Sequence, residues 1–268
     1  MRLLQNTAVR ALITENFDLG VLQSAYSRLH DLNDPMRCNL FALLIREVIR
    51  VAISRLSPDV EVKKTSWFVG DKGTVTRRCR YRFAITGYLS DSVLTSHPQL
   101  SAENEISELV NAIAKLSKYA HLSEDTYSLP IDKVEAFRNS VEDAVIEFAE
   151  ALVSKRDELA KITLDLTHDE IEESLRSHLP NELAALSCKT TINGIELLKL
   201  QDFNTSVSSP ILSGDAIVDV GLADFEKDEA YGGDAAYGFQ FHVYVDPSNL
   251  AIEIASLDFN LDERLETR

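Results

Sequence analysis

One segment constrains the fold more than any other part of the chain. Residues 36–56 read MRCNLFALLIREVIRVAISRL, and as a helix they are apolar on nearly every side. The exceptions form a single stripe of polar residues: Asn39, Arg46, Glu47, Arg50 and Ser54. Such a helix is buried among neighbours and turns its polar stripe toward a groove, a partner or solvent. Asp34-Pro35 supplies a start signal and Ser57-Pro58 an end.

Further helices are predicted on both sides of this segment. Residues 7–30 are loosely amphipathic, and residues 101–122 carry a buried stripe from Ile106 to Leu116. From Asp132 to about Leu159, apolar residues recur at alternating spacings of three and four. That spacing is typical of a helix packed lengthwise in a bundle, so the first part of the chain is predicted to be a helical bundle.

The pattern changes after about residue 165. One more helix is predicted from His168 to Leu186, and four runs with strand character follow it: residues 190–200, 211–225, 237–245 and 250–259. Glycines and Pro247 separate these runs, which predicts an antiparallel sheet with a flanking helix. The predicted fold class is therefore α+β, with a helical bundle over 1–162, a basic insertion at 60–83, and a smaller acidic module over 163–268.

Charge is distributed unevenly along the 268 residues, whose net charge is −16. Residues 1–100 carry 14 Lys and Arg against 9 Asp and Glu, whereas residues 101–268 carry 13 against 34. This asymmetry predicts different partners for the two parts, or contact between them or with a second copy. No apolar run approaches the length of a membrane span and no secretory signal is evident, so we expect a cytoplasmic protein.

The basic insertion contains the run VKKTSWFVGDKGTVTRRCRYR at residues 62–82. Cations attract phosphates, and aromatic rings or guanidinium planes stack on unpaired bases, so the insertion predicts binding of single-stranded RNA or DNA. Two local structures fit: a hairpin turning at 70–73, or a loop followed by a helix from Thr76. The alternative is that its arginines pair with the acidic C-terminal half. The candidate nucleic-acid-binding residues are Lys63, Lys64, Trp67, Lys72, Arg77, Arg78, Arg80 and Arg82.

A candidate acid–base group lies at the end of the helix predicted over 101–122. His121 follows the sequence KLSKYA, with Lys118 one turn before it. A histidine at a helix C-terminus is favoured when protonated, and it can then protonate the leaving oxygen when a ribose 2′-hydroxyl cleaves RNA without metal. The alternative is a helix-capping histidine with no chemical role.

These residues carry a resemblance to known families. The buried helix LFALLIREVIRVAISRL, followed after a loop by LSKYAHLS, resembles the HEPN superfamily of prokaryotic conflict proteins. The helical front and acidic β-rich rear also resemble predicted nucleases found beside prokaryotic PIWI-like genes. The resemblance implies a cofactor-free and metal-independent ribonuclease of an anti-phage system, with His121 and Lys118 as catalytic residues. The HEPN motif places an arginine five to seven positions before the histidine; here Lys115 precedes His121, and Arg46 or Arg50 is the candidate replacement guanidinium.

Two other interpretations stay open. Asp215 and Asp219 lie four residues apart on one face of a predicted strand, as carboxylates of a divalent-metal nuclease site do. Alternatively, the protein is a non-enzymatic partner or scaffold subunit of a defence complex, with the acidic module as a protein-docking surface. Its protein partner would then be another protein or, in a homodimer, a second copy of the chain. Zinc-protease and nucleotide-binding motifs are missing from the sequence, which leaves no support for an enzyme of either class.

Overall fold

The computed structural model describes residues 1–69, 73–187, 189–203, 211–226 and 229–265. These residues divide into an N-terminal unit, Met1–Glu158, and a C-terminal unit, Leu159–Arg268. The protein has the predicted α+β class, with a long helical region followed by a four-stranded antiparallel sheet. Within the described ranges, no helix combines the length and the apolar character that crossing a membrane requires.

The N-terminal unit is built from helices. A short 3₁₀ turn at Pro98–Leu100 separates the seventh from the eighth, and the ninth begins in this unit. Their bounds are α1 (Arg2–Gln5), α2 (Thr7–Leu12), α3 (Asn16–His30), α4 (Arg37–Leu56), α5 (Asp59–Val62), α6 (Arg77–Thr86), α7 (Asp91–Ser96), α8 (Glu103–Ala120) and α9 (Ile131–Ser177).

Helix α4 is the centre of this unit, as its apolar sequence predicts. It packs against α3, α6 and α8, and Phe41, Ile45 and Ile49 are buried almost completely. The Phe41 ring meets Tyr26 edge to face at 5.7 Å and Phe137 of α9 at 6.3 Å. Burial on several sides explains why α4 has so few polar positions.

The first member of the polar stripe anchors the end of α8. The side chain of Asn39 is buried, and its Nδ2 donates to the carbonyl of Tyr119 at 2.8 Å and to the Thr126 hydroxyl at 3.1 Å. These two bonds satisfy the amide donors and join the N-terminal turn of α4 to the C-terminal turn of α8, whereas Asn39 Oδ1 is buried without a partner among the described residues. The remaining stripe residues lie at the surface or half-buried.

The predicted break between two helices near residue 160 is wrong, because α9 runs without interruption over 47 residues. The chain has neither proline nor glycine between 131 and 177, so nothing interrupts the backbone hydrogen bonds. Thr163 and Thr167 are fully buried, and each hydroxyl donates to the carbonyl four residues earlier, which satisfies it inside the helix. Only the short helix α10 (Asn181–Ala184) follows before the sheet.

The C-terminal unit contains an antiparallel meander in the order β1 (Lys189–Phe203), β2 (Ile211–Glu226), β3 (Glu229–Val245) and β4 (Ile252–Leu265). Alternate residues of β3 from Tyr237 to Val245 are buried, as the period of a half-buried strand requires. The His168 ring of α9 hydrogen-bonds the carbonyl of Ile195 in β1 at 3.2 Å. Strand β3 begins eight residues earlier than predicted, because Gly232 and Gly233 pair with β2 rather than ending the strand.

The basic insertion folds as a loop and a helix, so the hairpin alternative is wrong. Thr76 caps α6, with its hydroxyl accepting the N–H of Cys79 at 3.3 Å. Tyr81, Ala84 and Ile85 then lie at helical spacing in the apolar core, which a strand could not achieve. Residues 70–72 of the turn predicted at 70–73, including Lys72, lie outside the described residues.

Candidate nucleic-acid interface

Four arginines line one cavity of the N-terminal unit, with a volume of about 410 Å³. Arg46 and Arg50 come from α4, and Arg77 and Arg80 come from α6. The remaining lining is mixed: Glu47, Ile53, Ser54, Tyr81 and Ile113. Four arginines against one glutamate give this lining a net charge of +3.

Helical spacing explains why each helix contributes a pair of arginines. Residues three and four apart share a helix face, so Arg46 and Arg50 project together from α4, as Arg77 and Arg80 do from α6. The polar stripe of α4 was predicted to face a groove, a partner or solvent, and all its members except Asn39 line this cavity. The packing of α6 on α4 brings the two pairs together although they are about thirty residues apart in the chain.

Glu47, which also lines the cavity, forms hydrogen bonds with two of the arginines. Its carboxylate accepts hydrogen bonds from Arg50 Nε at 2.7 Å and from Arg46 Nη2 at 3.1 Å. The hydrogen bond from Arg50, with that from Arg46, holds the pKa of Glu47 below its ordinary value. Glu47 is therefore a resident anion that partly neutralises the α4 side of the cavity.

The two arginines of α6 are held differently. Arg80 binds Asp59 of α5 through two parallel hydrogen bonds, from Nε at 2.8 Å and from Nη2 at 2.9 Å. These bonds hold the pKa of Asp59 below its ordinary value and fix the guanidinium plane. Arg77 is exposed, and its side chain makes no hydrogen bond or ion pair with any other described residue. Arg77 therefore presents its full set of donors to a ligand.

Tyr81 forms part of the apolar wall beneath these arginines. The residue is 4% exposed, and its ring packs edge to face on Phe148 at 5.7 Å. Burial raises the pKa of Tyr81 to about 12, although Arg77 and Arg80 oppose the shift. The phenol therefore stays protonated at neutral pH and can only add a neutral hydroxyl to the site.

Several other basic residues of the insertion are engaged in ion pairs. Arg78 pairs with Glu103 and Arg82 pairs with Asp91, both within the N-terminal unit. Lys64 pairs with Glu61 at 2.9 Å, while Lys63 is exposed. Together with Arg80 on Asp59, these arginines of α6 therefore pair with carboxylates of their own unit.

Trp67 is not available for base stacking, contrary to its prediction as a contact residue. Its side chain is 9% exposed and belongs to a small apolar cluster with Val62, Val75 and Phe83. The guanidinium of Arg82 covers the indole at 4.2 Å from the ring centroid. Burial of the indole among these apolar neighbours is favourable because it removes a large apolar surface from water.

His121 and Lys118 lie apart from the arginine cavity. His121 ends α8 and is exposed, and its carbonyl accepts a hydrogen bond from the Thr126 hydroxyl at 2.9 Å. Neighbouring Tyr119 contacts Asn39, and Arg46 is seven residues further along α4, about 10 Å by helical rise. The cavity lining includes neither His121 nor Lys118. Of the four catalytic candidates, the structure brings together only Arg46 and Arg50.

The acidic candidates lie in the C-terminal unit. Asp215 and Asp219 share one face of β2 and are half-buried, as their spacing predicts, and Gln240 donates to Asp215 at 3.2 Å. Over the parts of the chain that the structure describes, no three His, Cys, Asp or Glu side chains come together as potential metal ligands. The side chains of residues 223–232, among them Asp224, Glu226, Asp228 and Glu229, lie outside that description.

Sequence reasoning found the members of the cavity but not their association. Arg46 and Arg50 were predicted as catalytic residues, whereas Arg77 and Arg80 were predicted as nucleic-acid contacts. Asp59 and Glu47, which orient three of these arginines, were missed as members of the interface. Glu47 could have been found from the sequence, because it lies three residues before Arg50 and directly after Arg46. No such spacing pointed to Asp59.

Comparisons with known proteins agree with a role in nucleic-acid metabolism. Neither a curated protein nor a solved structure matches the chain. The family model described as "Predicted pPIWI-associating nuclease" matches residues 10–163, which is more than half of the chain and contains all four arginines of the cavity. The chain therefore belongs to the family of predicted pPIWI-associating nucleases.

Proposed function

We propose that this protein acts on single-stranded nucleic acid in a prokaryotic conflict system and that the arginine cavity binds the phosphate groups. The observation that carries the proposal is the association of four arginines on one cavity in a chain of net charge −16. The family description supports nucleic acid as the ligand.

Arginine is the side chain suited to this task. Its planar guanidinium offers paired donors that match two phosphate oxygens, and it stays charged at every physiological pH. Binding to such a site releases counterions from the nucleic acid, so affinity falls steeply with salt. The exposed Arg77 and the solvent-facing Arg50 are the first contacts, since the other two are half-buried.

The cavity supplies charge rather than proton transfer. Its arginines cannot give up a proton, and its carboxylate, Glu47, is stabilised in the ionised form by Arg50 and Arg46. These groups stabilise the charge of a phosphorane-like transition state but do not move its protons. HEPN-like cleavage with His121 as the acid–base group and Lys118 in support is a separate hypothesis. It requires a strand held in the cavity to present its scissile phosphate at the end of α8.

Equilibrium binding to a labelled single-stranded RNA and DNA tests the proposed interface. Replacing Arg50 and Arg77 by Gln removes two charges from the cavity without introducing repulsion. We expect binding to weaken roughly tenfold or more at physiological salt. The salt slope should fall by about 1.4, which is about 0.7 for each phosphate of a single strand that is no longer neutralised. Replacing exposed Arg10 and Arg28, which lie outside the cavity, by Gln is the matched control. Equal affinity of both double variants would refute the proposal.

RNA cleavage in EDTA tests the catalytic hypothesis. If His121 is the acid–base group, His121→Ala abolishes cleavage while affinity for RNA stays unchanged. His97 follows the C-terminus of α7, so His97→Ala is a control of the same type at another helix end. Cleavage that survives His121→Ala, or that depends on a divalent metal, rules the hypothesis out.

The alternative function is a non-enzymatic subunit of a defence complex. The observation in its favour is the charge of the C-terminal unit, where residues 159–268 carry 21 Asp and Glu against 7 Lys and Arg. Such a surface suits docking to a basic protein or a second copy and repels nucleic acid. A stable complex with a protein partner, without any cleavage activity, is the outcome that favours this alternative.

A further inference from the structure

We infer that the arginine cavity selects a terminal phosphate monoester of a single strand over the internal phosphodiesters. The inference rests on the proposed function, because it assigns a substrate class to the same site. It follows from three features of the cavity: its size, its resident carboxylate and the donors that remain unused.

The size of the cavity suits a strand end. Its volume of about 410 Å³ falls in the range of pockets that enclose a small molecule, which is roughly the space of one nucleotide. Helices α4, α6 and α8 wall it, with Ile53, Tyr81 and Ile113 on the apolar side. A continuous backbone that only passes the site would leave this volume unfilled, whereas a terminal nucleotide occupies it.

The resident carboxylate makes the site discriminate by charge. Glu47 already places one negative charge on Arg46 and Arg50. An internal phosphodiester also carries one charge, so exchanging it for Glu47 gains little. A terminal monoester carries about −1.5 to −2 at neutral pH and offers three strong acceptor oxygens. It can therefore attract these arginines strongly even with the Glu47 carboxylate nearby.

Unused donors on α6 complete the site. Arg77 has no side-chain partner among the described residues, and Arg80 binds Asp59 through Nε and Nη2, which leaves Nη1. The three oxygens of a monoester can accept from both residues, whereas a diester has only two non-bridging oxygens. The geometry thus offers more donors than a passing backbone phosphate can use.

Discrimination should depend on pH in a defined direction. The second pKa of a phosphate monoester is about 6, so below that pH the terminal group carries a single charge, like a diester. The charged and titratable groups around the cavity are Glu47, Arg46 and Arg50 on α4, Arg77, Arg80 and Tyr81 on α6, and Asp59 on α5. The pKa values of Glu47 and Asp59 are lowered and burial raises that of Tyr81 to about 12, so neither carboxylate nor the phenol changes its charge between pH 5 and 8. Preference for the terminal phosphate should therefore fall as the pH decreases through 6.

Competition binding with the full-length protein tests the inference. One single-stranded RNA sequence is compared in four forms: with a 5′-phosphate, with a 3′-phosphate, with neither, and circularised. We expect one phosphorylated form to bind about tenfold more tightly than the unmodified and circular forms at pH 7.5, and near parity at pH 5. Whichever phosphorylated form binds more tightly identifies the recognised end of the strand as 5′ or 3′.

Two variants assign the preference to the cavity. Arg77→Gln should remove most of the preference, and its exposed position in the first turn of α6 makes misfolding unexpected. Glu47→Gln should raise affinity for both RNAs, and for the phosphorylated RNA at least as much, because the Glu47 carboxylate repels the more highly charged terminal group more strongly. Arg28→Gln should keep the wild-type preference.

The failure of this inference differs from failure of the proposed function. Equal affinity for all four forms, still weakened by Arg50→Gln with Arg77→Gln, would overturn the terminal-phosphate inference and leave the interface standing. A preference that persists in Arg77→Gln would overturn its assignment to this cavity. No measurable affinity for any form would overturn the proposed function itself.

Discussion

The two units of this protein differ in charge far more than the total of −16 reveals. Residues 1–158 carry 20 Lys and Arg against 22 Asp and Glu, a net charge of −2, whereas residues 159–268 carry 7 against 21, a net charge of −14. The nearly neutral unit nevertheless contains the arginine cavity, with a lining of +3. Net charge therefore says little about local potential, which depends on where the packing places each side chain.

The helical unit also pairs most of the arginines of α6 with carboxylates. Arg78, Arg80 and Arg82 are paired with carboxylates that helical packing brings from α8, α5 and α7. Exposed ion pairs of this kind contribute little to stability, about 0–1 kcal/mol each. These pairs matter because they partly neutralise three of the four arginines of α6. Arg77 is left without a described partner, so attraction for anions is strongest at the cavity rather than along the whole insertion.

The largest effect is expected from the core that holds the helical unit together. Phe137 is 6% exposed, stacks on Tyr119 at 4.1 Å and meets Phe41. Phe137→Ala should lower the free energy of unfolding by about 3–5 kcal/mol, because it removes buried apolar surface and leaves a residual cavity. Urea denaturation followed by helical circular dichroism measures the decrease. Phe17→Ala, at a residue 78% exposed, is the matched control and should change little; an equal decrease in both variants would contradict the predicted role of this core.

An intermediate effect is expected from the cap that starts α6. Thr76→Ala removes the hydroxyl that accepts the N–H of Cys79, so it should cost about 1 kcal/mol of stability. Fraying of the first turn should also loosen Arg77 and weaken binding of single-stranded RNA. Thr76→Ser keeps an acceptor and should restore most of both properties. If Ala and Ser behave alike, the cap does not position the basic helix.

The smallest effect is expected from the acidic sheet, and it sharpens the contrast between the units. Asp219→Asn removes one charge from a half-buried position of β2. Since we place binding at the arginine cavity, nucleic-acid affinity and any EDTA-resistant cleavage should stay within about twofold of wild type, because Asp219 contributes nothing to the lining of that cavity. Loss of a cleavage activity that EDTA also abolishes would instead establish the carboxylate–metal interpretation of Asp215 and Asp219.

Local sequence patterns predicted much of the fold. The near-continuous apolar character of α4 predicted its burial. Of the two structures considered for the basic insertion, a hairpin and a helix from Thr76, the helix was correct. The alternation of FHVYV predicted a half-buried strand, which β3 contains. Each of these signals is a periodicity within one element, and periodicity assigns a face to that element without naming its neighbours.

The amino-acid sequence by itself determined most of the helices and strands and which face of α4 is polar, but not the continuity of α9 or the start of β3. Only the tertiary structure decided that Arg46 and Arg50 meet Arg77 and Arg80, that Trp67 is buried under Arg82, and that His121 lies elsewhere. The physical reason is that helix faces follow from local spacing, whereas the meeting of two faces follows from how whole helices pack and which ion pairs close between them. Long-range packing of this kind leaves no short-range pattern in the sequence.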